Sequence, residues 1–210
     1  MGSDCHVLVF AKAPQPGTVK TRLIPLLGPE RAACLHRKLV EHALGAAVAA
    51  ASGPVELWCA PDCSDAFLRE CAETFGASLH TQPDGDLGTR MGHALGRALQ
   101  VSRSGVLIGT DCAVLGPEHI REAAGALAAG DEAVFCPAED GGYALIGLTR
   151  CNARLFEGIR WGESSVMDST RRRLRELDWR WRELETLWDV DRPEDYQRLL
   201  SARLLDGRVT

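Results

Sequence analysis

Lys12, Lys20 and Arg22 stand within one short stretch, Lys12-Ala-Pro-Gln-Pro-Gly-Thr-Val-Lys-Thr-Arg22, that contains no acidic residue. Pro14, Pro16 and Gly17 stop a helix or strand from running through it. The stretch is therefore a loop offering two ammonium groups, a guanidinium, the Thr21 hydroxyl and, at Gly17, a place where backbone can come close. That set suits the phosphates of a nucleotide; a solvated basic loop is the plainer alternative. It is not a P-loop, because Val19 precedes Lys20 where that motif needs Gly, and no G-x-G-x-x-G is present.

Carboxylates gather at three later places. Asp111 ends Gly-Val-Leu-Ile-Gly-Thr-Asp111, where an acid at the end of a buried strand either holds a divalent cation over phosphates or closes a turn. Glu139 and Asp140 precede Gly141, Gly142 and Tyr143. The glycines leave room for a ligand beside two carboxylates that could activate an acceptor hydroxyl, Asp140 first and Glu139 next, or they make a tight hairpin. Asp189 and Asp191 are two apart, and on an extended segment both face one way, so they could complete a metal site with Asp111. Asp191 and Glu194 also have capping-box spacing ahead of a last helix.

The elements that must position these groups alternate between strand and helix. Strands are predicted at 6–11, 55–60, 78–81, 105–109, 133–136 and 143–148, the last antiparallel after a tight turn, with an edge strand within 179–187. Helices are predicted at about 29–51, 65–75, 88–102, 117–129 and 164–177, and from Pro193. Such alternation implies one mainly parallel sheet in a three-layer α/β/α sandwich, with ligands beyond the carboxyl ends of the strands. No repeat, linker or boundary divides the chain, so residues 1–210 are expected to form one nucleotide-binding domain.

The chain has 210 residues, a net charge of -5 and a pI of about 5.7, which excludes a general nucleic-acid binder. Residues 1–105 balance 10 basic against 10 acidic side chains, so the surplus, 19 acidic over 14 basic, lies in the second half. No apolar run reaches the length that spans a bilayer, and residues 1–10 lack the basic and apolar regions of a secretory signal, so none is expected. Eight cysteines include no Cys-x-x-Cys. They are expected to be reduced and structural, in a cytoplasmic protein. His36 and His42 are expected to be exposed on the long helix and His93 to be structural. The tryptophans at 161, 179, 181 and 188 are expected to serve packing, and Arg171–Arg173 a solvated face.

Five motifs in order carry a resemblance: Val-Phe-Ala-Lys-Ala-Pro-x-Pro-Gly-x-x-Lys-Thr-Arg-Leu (9–23), Gly-Asp-Leu-Gly-x-Arg-Met (85–91), Gly-Thr-Asp-Cys (109–112), Glu-Asp-Gly-Gly-Tyr (139–143) and Asp-Val-Asp-x-Pro-Glu-Asp (189–195). Together they resemble the bacterial family of small GT-A-type nucleotide-diphospho-sugar transferases, which includes an arsenosugar biosynthesis branch. The resemblance implies a GT-A fold and a metal-dependent glycosyltransferase, with Mg2+ or Mn2+ as cofactor. Its partners would be a nucleotide-sugar donor and a small-molecule or glycan acceptor. It implies donor contacts at Lys12, Gly17, Lys20, Thr21, Arg22, Asp86, Gly88 and Arg90. Metal carboxylates would be Asp111 and Asp191, with Asp189, and the acceptor-side loop would hold Glu139, Asp140, Gly141, Gly142 and Tyr143. Ala113 and Val114 depart from the family, which has Pro and often an acid there. Lys-Thr-Arg-Leu and Asp-Gly-Gly also resemble phospholactate guanylyltransferases, so an NTP-dependent, pyrophosphate-releasing nucleotidyltransferase is the alternative. A non-catalytic nucleotide-binding protein is a third reading.

Overall fold

A computed structural model of the protein describes residues 5–205. Its strands are β1 (Cys5–Lys12), β2 (Val55–Ala60), β3 (Ser78–Thr81), β4 (Ser104–Ile108), β5 (Ala133–Pro137), β6 (Tyr143–Leu148) and β7 (Trp181–Glu183). Its helices are α1 (Ile24–Leu27), α2 (Pro29–Ala50), α3 (Ala66–Phe75), α4 (Leu87–Ala98), α5 (Pro117–Ala128), α6 (Val166–Glu176) and α7 (Pro193–Ala202). The strands form one sheet in the order β3-β2-β1-β4-β6-β5-β7. Only β6 runs against its neighbours, pairing antiparallel with β4 and β5.

Alternation along the strands makes two cores, because successive side chains point to opposite faces. Val7, Val9, Leu57, Val106, Ile108 and Val134 meet Val40 and Leu44 of α2, Leu68 of α3 and Ile120 of α5. Leu8, Phe10, Trp58, Leu107, Phe135 and Ile146 meet Met91 and Leu95 of α4 and Met167 and Leu174 of α6. This is the expected three-layer arrangement. A third cluster, with Leu23, Leu27, Leu35, Leu39, Ala113, Trp188, Val190 and Leu199, binds the loop after β1 to the segment before α7.

The predicted ranges of β2, β3 and β6 agree with the observed ones. Other boundaries moved. The helix expected to reach residue 102 ends at Ala98, where the Ser102 hydroxyl donates to the Ala98 carbonyl and turns the chain. The edge strand within 179–187 shortens to three residues, since Trp179 leaves the alternation to enter the second core. The capping pair expected at Asp191 and Glu194 shifts by one. Pro193 takes the first helical position, so the third is Asp195, whose carboxylate accepts the Arg192 and Asp191 N–H groups at 2.8 and 3.1 Å. That signal was available, because proline favours the first position of a helix. Among the described residues no helix is long and apolar enough to cross a membrane.

Asp195→Ala is expected to lower stability by about 1 kcal/mol through loss of this cap. Glu194→Ala should change it by less than about 0.5 kcal/mol. Urea denaturation of the two variants checks the assignment; equal losses would contradict it.

Candidate functional site

From β1 the chain builds outward through β2 and β3, then crosses back to place β4 on the other side of β1. The reversal leaves a crevice over the ends of β1 and β4, where open α/β sheets bind ligands. A cleft of about 740 Å³ lies there, within the size range of small-molecule sites. A side cavity of about 330 Å³ shares Lys12, Thr18 and Arg90 with it.

Of the residues expected to bind donor, Lys12, Lys20, Thr21, Arg22, Asp86 and Arg90 line the cleft. Gly17 and Gly88 do not. Gly17 turns its loop at φ +85, and Gly88 gives space to Trp161, whose ring would lie 2.6 Å from an added Cβ. Two of the cations are engaged by carboxylates. The Lys20 ammonium is buried, bonded to Asp111 Oδ1 at 2.5 Å and donating to the Val190 carbonyl at 2.7 Å. The Arg22 guanidinium donates to Asp191. The Asp86 carboxylate caps α4, accepting the Thr89 N–H at 2.8 Å and its hydroxyl at 2.7 Å. Arg90 Nε donates to the Gly85 carbonyl at 3.0 Å, which anchors its guanidinium at the cleft wall.

The candidate metal carboxylates Asp111, Asp189 and Asp191 all line the cleft, as does Asp140. Asp189 and Asp191 face it together because Val190 between them is fully buried in the third cluster. The Val190 N–H donates to the Asp111 carbonyl at 2.8 Å, which straps this late segment beside β4. Desolvation opposes the charge on Asp111, but the Lys20 ammonium outweighs it and holds the carboxyl below its ordinary value. Asp189 goes the other way. Burial, then the Asp111 and Asp140 carboxylates, push it up to about 7.

Among the described residues no three His, Cys, Asp or Glu side chains are already gathered as a metal cluster. The donor chemistry nonetheless fits a hard divalent cation. Asp111 and Asp189 bring carboxylate oxygens into one cleft and repel each other, and oxygen ligands are what Mg2+ and Mn2+ take. Asp191 fits less well, because Arg22 already holds it. Ala113 and Val114 pack into the third cluster, away from the cleft, so the acid missing there removes nothing from its lining.

The acceptor-side loop divides. Asp140, Gly142 and Tyr143 line the cleft, whereas Glu139 and Gly141 do not. Glu139 is turned outward by a two-pronged pair with Arg198 at 2.8 and 3.1 Å, which lowers its pKa, and Arg198 in turn stacks over Trp188. That corrects its expected place next to Asp140. Asp140 Oδ1 accepts the Gly142 N–H at 2.9 Å. Gly141, at φ +91, lies against Ser164, whose carbonyl oxygen would be 2.0 Å from an added Cβ. Burial pushes the Tyr143 phenol well up, so it stays protonated.

Several lining residues were not expected at the site, His36 and Trp161 among them. His36 was expected to be exposed, but it is 4% exposed and lines the cleft. Its Nε2 lies 3.1 Å from the Lys12 carbonyl, and Nδ1 is buried with no partner. Trp161 was assigned to packing and also forms cleft wall. Trp179 and Trp188 are buried as expected, and His93 meets the edge of Trp58 outside the cleft. No thiol competes as a nucleophile at the site. None of the eight cysteines forms a disulfide, and burial pushes Cys112, the one in the cleft lining, up to about 12.

Residues 43–163 match the family model described as "Uncharacterized protein conserved in bacteria (DUF2064)". The chain belongs to this family. The matched segment of the DUF2064 chain runs from α2 to the Trp161 loop, so the basic loop and the late carboxylates lie outside it. A solved chain from Desulfovibrio desulfuricans G20, named for an inferred nucleotide-diphospho-sugar transferase activity, shares 32% identity and a TM-score of 0.86 over 96% of this chain and 88% of its own. Two more distant structures share the fold. A cytidylyltransferase from Leptospira borgpetersenii has 15% identity and a TM-score of 0.62 over 95% and 86% of the two chains. Glucosyl-3-phosphoglycerate synthase from Mycobacterium tuberculosis, in complex with Mn2+, UDP and glucosyl-3-phosphoglycerate, has 14% and 0.55 over 98% and 78%. No curated protein matches the chain. The fold of this DUF2064 protein is thus that of nucleotide-diphospho-sugar transferases, and its structural neighbours include both sugar and nucleotidyl transferases.

Two outcomes are expected. Gly141→Ala forces a backbone clash at positive φ and should cost more than about 2 kcal/mol, while Gly162→Ala, with open space around it, should cost about 1 kcal/mol in denaturant melts. Burial holds the His36 imidazole below its ordinary 6.5. The unfolded chain therefore takes up a proton that the folded chain refuses, so this contribution is complete above about pH 6.5 and is lost as the pH falls below it. Unfolding free energies between pH 7.5 and 5 should fall more steeply for the wild type than for His36→Asn; parallel curves would contradict this.

Proposed function

We propose that the protein is a glycosyltransferase that binds a nucleotide-diphosphate sugar with Mg2+ or Mn2+ and passes the sugar to a small-molecule or glycan hydroxyl. One observation carries the reading. One cleft at the sheet's switch point gathers Lys12 and Arg90 together with Asp111, Asp140 and Asp189. Departure of a nucleoside diphosphate builds negative charge, and a bound divalent cation would supply Lewis-acid stabilisation of it. Asp111 and Asp189 would hold that cation. Lys12 and Arg90 would bind the diphosphate, in a place where their charge needs no reorganisation. Asp140, with one oxygen fixed by the Gly142 N–H, would accept the proton of the acceptor hydroxyl.

The 32% identical relative supports sugar transfer, while the cytidylyltransferase likeness keeps a nucleotidyltransferase as the second reading. Melting temperatures with nucleoside diphosphates, triphosphates and nucleotide sugars, each with and without Mg2+ or Mn2+, separate them. Stabilisation by a nucleotide sugar with metal supports transfer; a triphosphate preference favours the second reading. Asp111→Asn is a poor probe, because it leaves the buried Lys20 ammonium without its anion. Asp140→Asn is the better one. It should lower nucleoside diphosphate release from the donor by about 100-fold or more, with the donor-induced melting shift retained. Unchanged release would remove Asp140 from the proposed role.

A further inference from the structure

Lys20 is placed as no simple phosphate ligand would be. Its side chain is 3% exposed, and its ammonium bonds Asp111 Oδ1 at 2.5 Å and the Val190 carbonyl at 2.7 Å. Its backbone is left-handed, at φ 49, a conformation that costs a residue with a Cβ. The side-chain partners, rather than the loop's own preference, hold it there. One Lys20 ammonium thus ties together the loop after β1, the end of β4 and the segment that carries Asp189.

Resting on the cation site proposed above, we infer that Lys20 is a built-in counter-ion that a divalent cation must displace from Asp111, so that cation and diphosphate enter the cleft as a coupled pair. A dication on the half-exposed Asp111 carboxylate would sit close to the ammonium, whose own side chain is buried and therefore poorly screened from it. With Asp111 and Asp189 both ionised, a dication and the ammonium between them still leave one positive charge unbalanced. An ammonium has three N–H donors, and Lys20 itself lines the cleft. Released from Asp111, it meets the diphosphate oxygens and restores the charge balance. The neighbouring pair of Arg22 with Asp191 lies outside this exchange. Coupling of this kind is reciprocal: the diphosphate raises cation affinity by the factor by which the cation raises diphosphate affinity. Without a diphosphate, Lys20 keeps the cation weakly bound.

Mn2+ alone is the first probe, with free Mn2+ read by electron paramagnetic resonance. Lys20→Gln should bind Mn2+ about tenfold or more tighter than the wild type. Lys38→Gln removes a lysine that lines neither cavity and should stay within about twofold of the wild type. The pair Asp111→Asn with Lys20→Gln, which removes both charges, should lose the gain. Equal affinity of Lys20→Gln and wild type, an equal gain in Lys38→Gln, or a gain that survives the double change would overturn the role of Lys20 while leaving the cation site standing. No Mn2+ binding by any of these proteins would remove the cation site and the inference together. The wild type gives a test independent of the variants' folding. The chain has three lysines, Lys12, Lys20 and Lys38, so 13C label at lysine Cε gives three resonances. Saturating Mg2+ should move the Lys20 signal, and pyrophosphate with Mg2+ should move it again. A Lys20 signal indifferent to Mg2+ would overturn the inference.

Discussion

The reversal of strand order beside β1 is the constraint from which the rest follows. Having laid β2 and β3 on one side, the chain must return across the sheet before β4 can pair on the other, and no connection can cover the gap it leaves. The loops after β1 and β4 therefore splay apart over an open crevice. They would be free to wander but for the third apolar cluster. Leu23, Leu35 and Leu39 hold the first loop's exit against Ala113, Trp188 and Val190, so the packing that closes the core also brings three distant pieces of chain to one place.

Electrostatics then arranges what packing has gathered. The cleft mixes both signs. Lys20 with Asp111 and Arg22 with Asp191 are paired, Lys12 and Arg90 also line the side cavity, and Asp140 and Asp189 line the cleft with them. Burial first, and then the Asp111 and Asp140 carboxylates, push the Asp189 carboxyl up. The outer acid of the same loop, Glu139, is spent on Arg198 and on fastening α7.

Much of this was legible beforehand because short apolar runs bounded by Gly, Pro and Asp mark strand ends, and strand ends are where such folds bind ligands. Val55–Ala60 and Tyr143–Leu148 carry their boundaries in their own residues. Asp189 and Asp191 could be placed on one face from spacing alone, since Val190 between them belongs to the core. What escaped depends on partners far along the chain. His36 lies beside Leu35 on α2, and helical spacing does not show that the first loop covers its side of the helix. Glu139 and Asp140 are indistinguishable as neighbours, because what divides them is an arginine 59 residues away. β7 is short because its length is set by β5 and by the burial of Trp179 rather than by its own alternation.

The strap that places Asp189 has a temporal side. Leu187 N–H donates to the Pro137 carbonyl, Glu139 N–H to the Leu187 carbonyl and Val190 N–H to the Asp111 carbonyl, so this last piece of the crevice is hung on backbone laid down much earlier. During synthesis the chain emerges from its amino end. β1 to β6 and the basic loop precede residue 150, while the segment carrying Asp189 follows more than thirty residues later. A nascent chain can thus hold nearly the whole sheet and still lack one wall of its cleft. The fold withholds its complete set of carboxylates until well after β1 to β6 have been made.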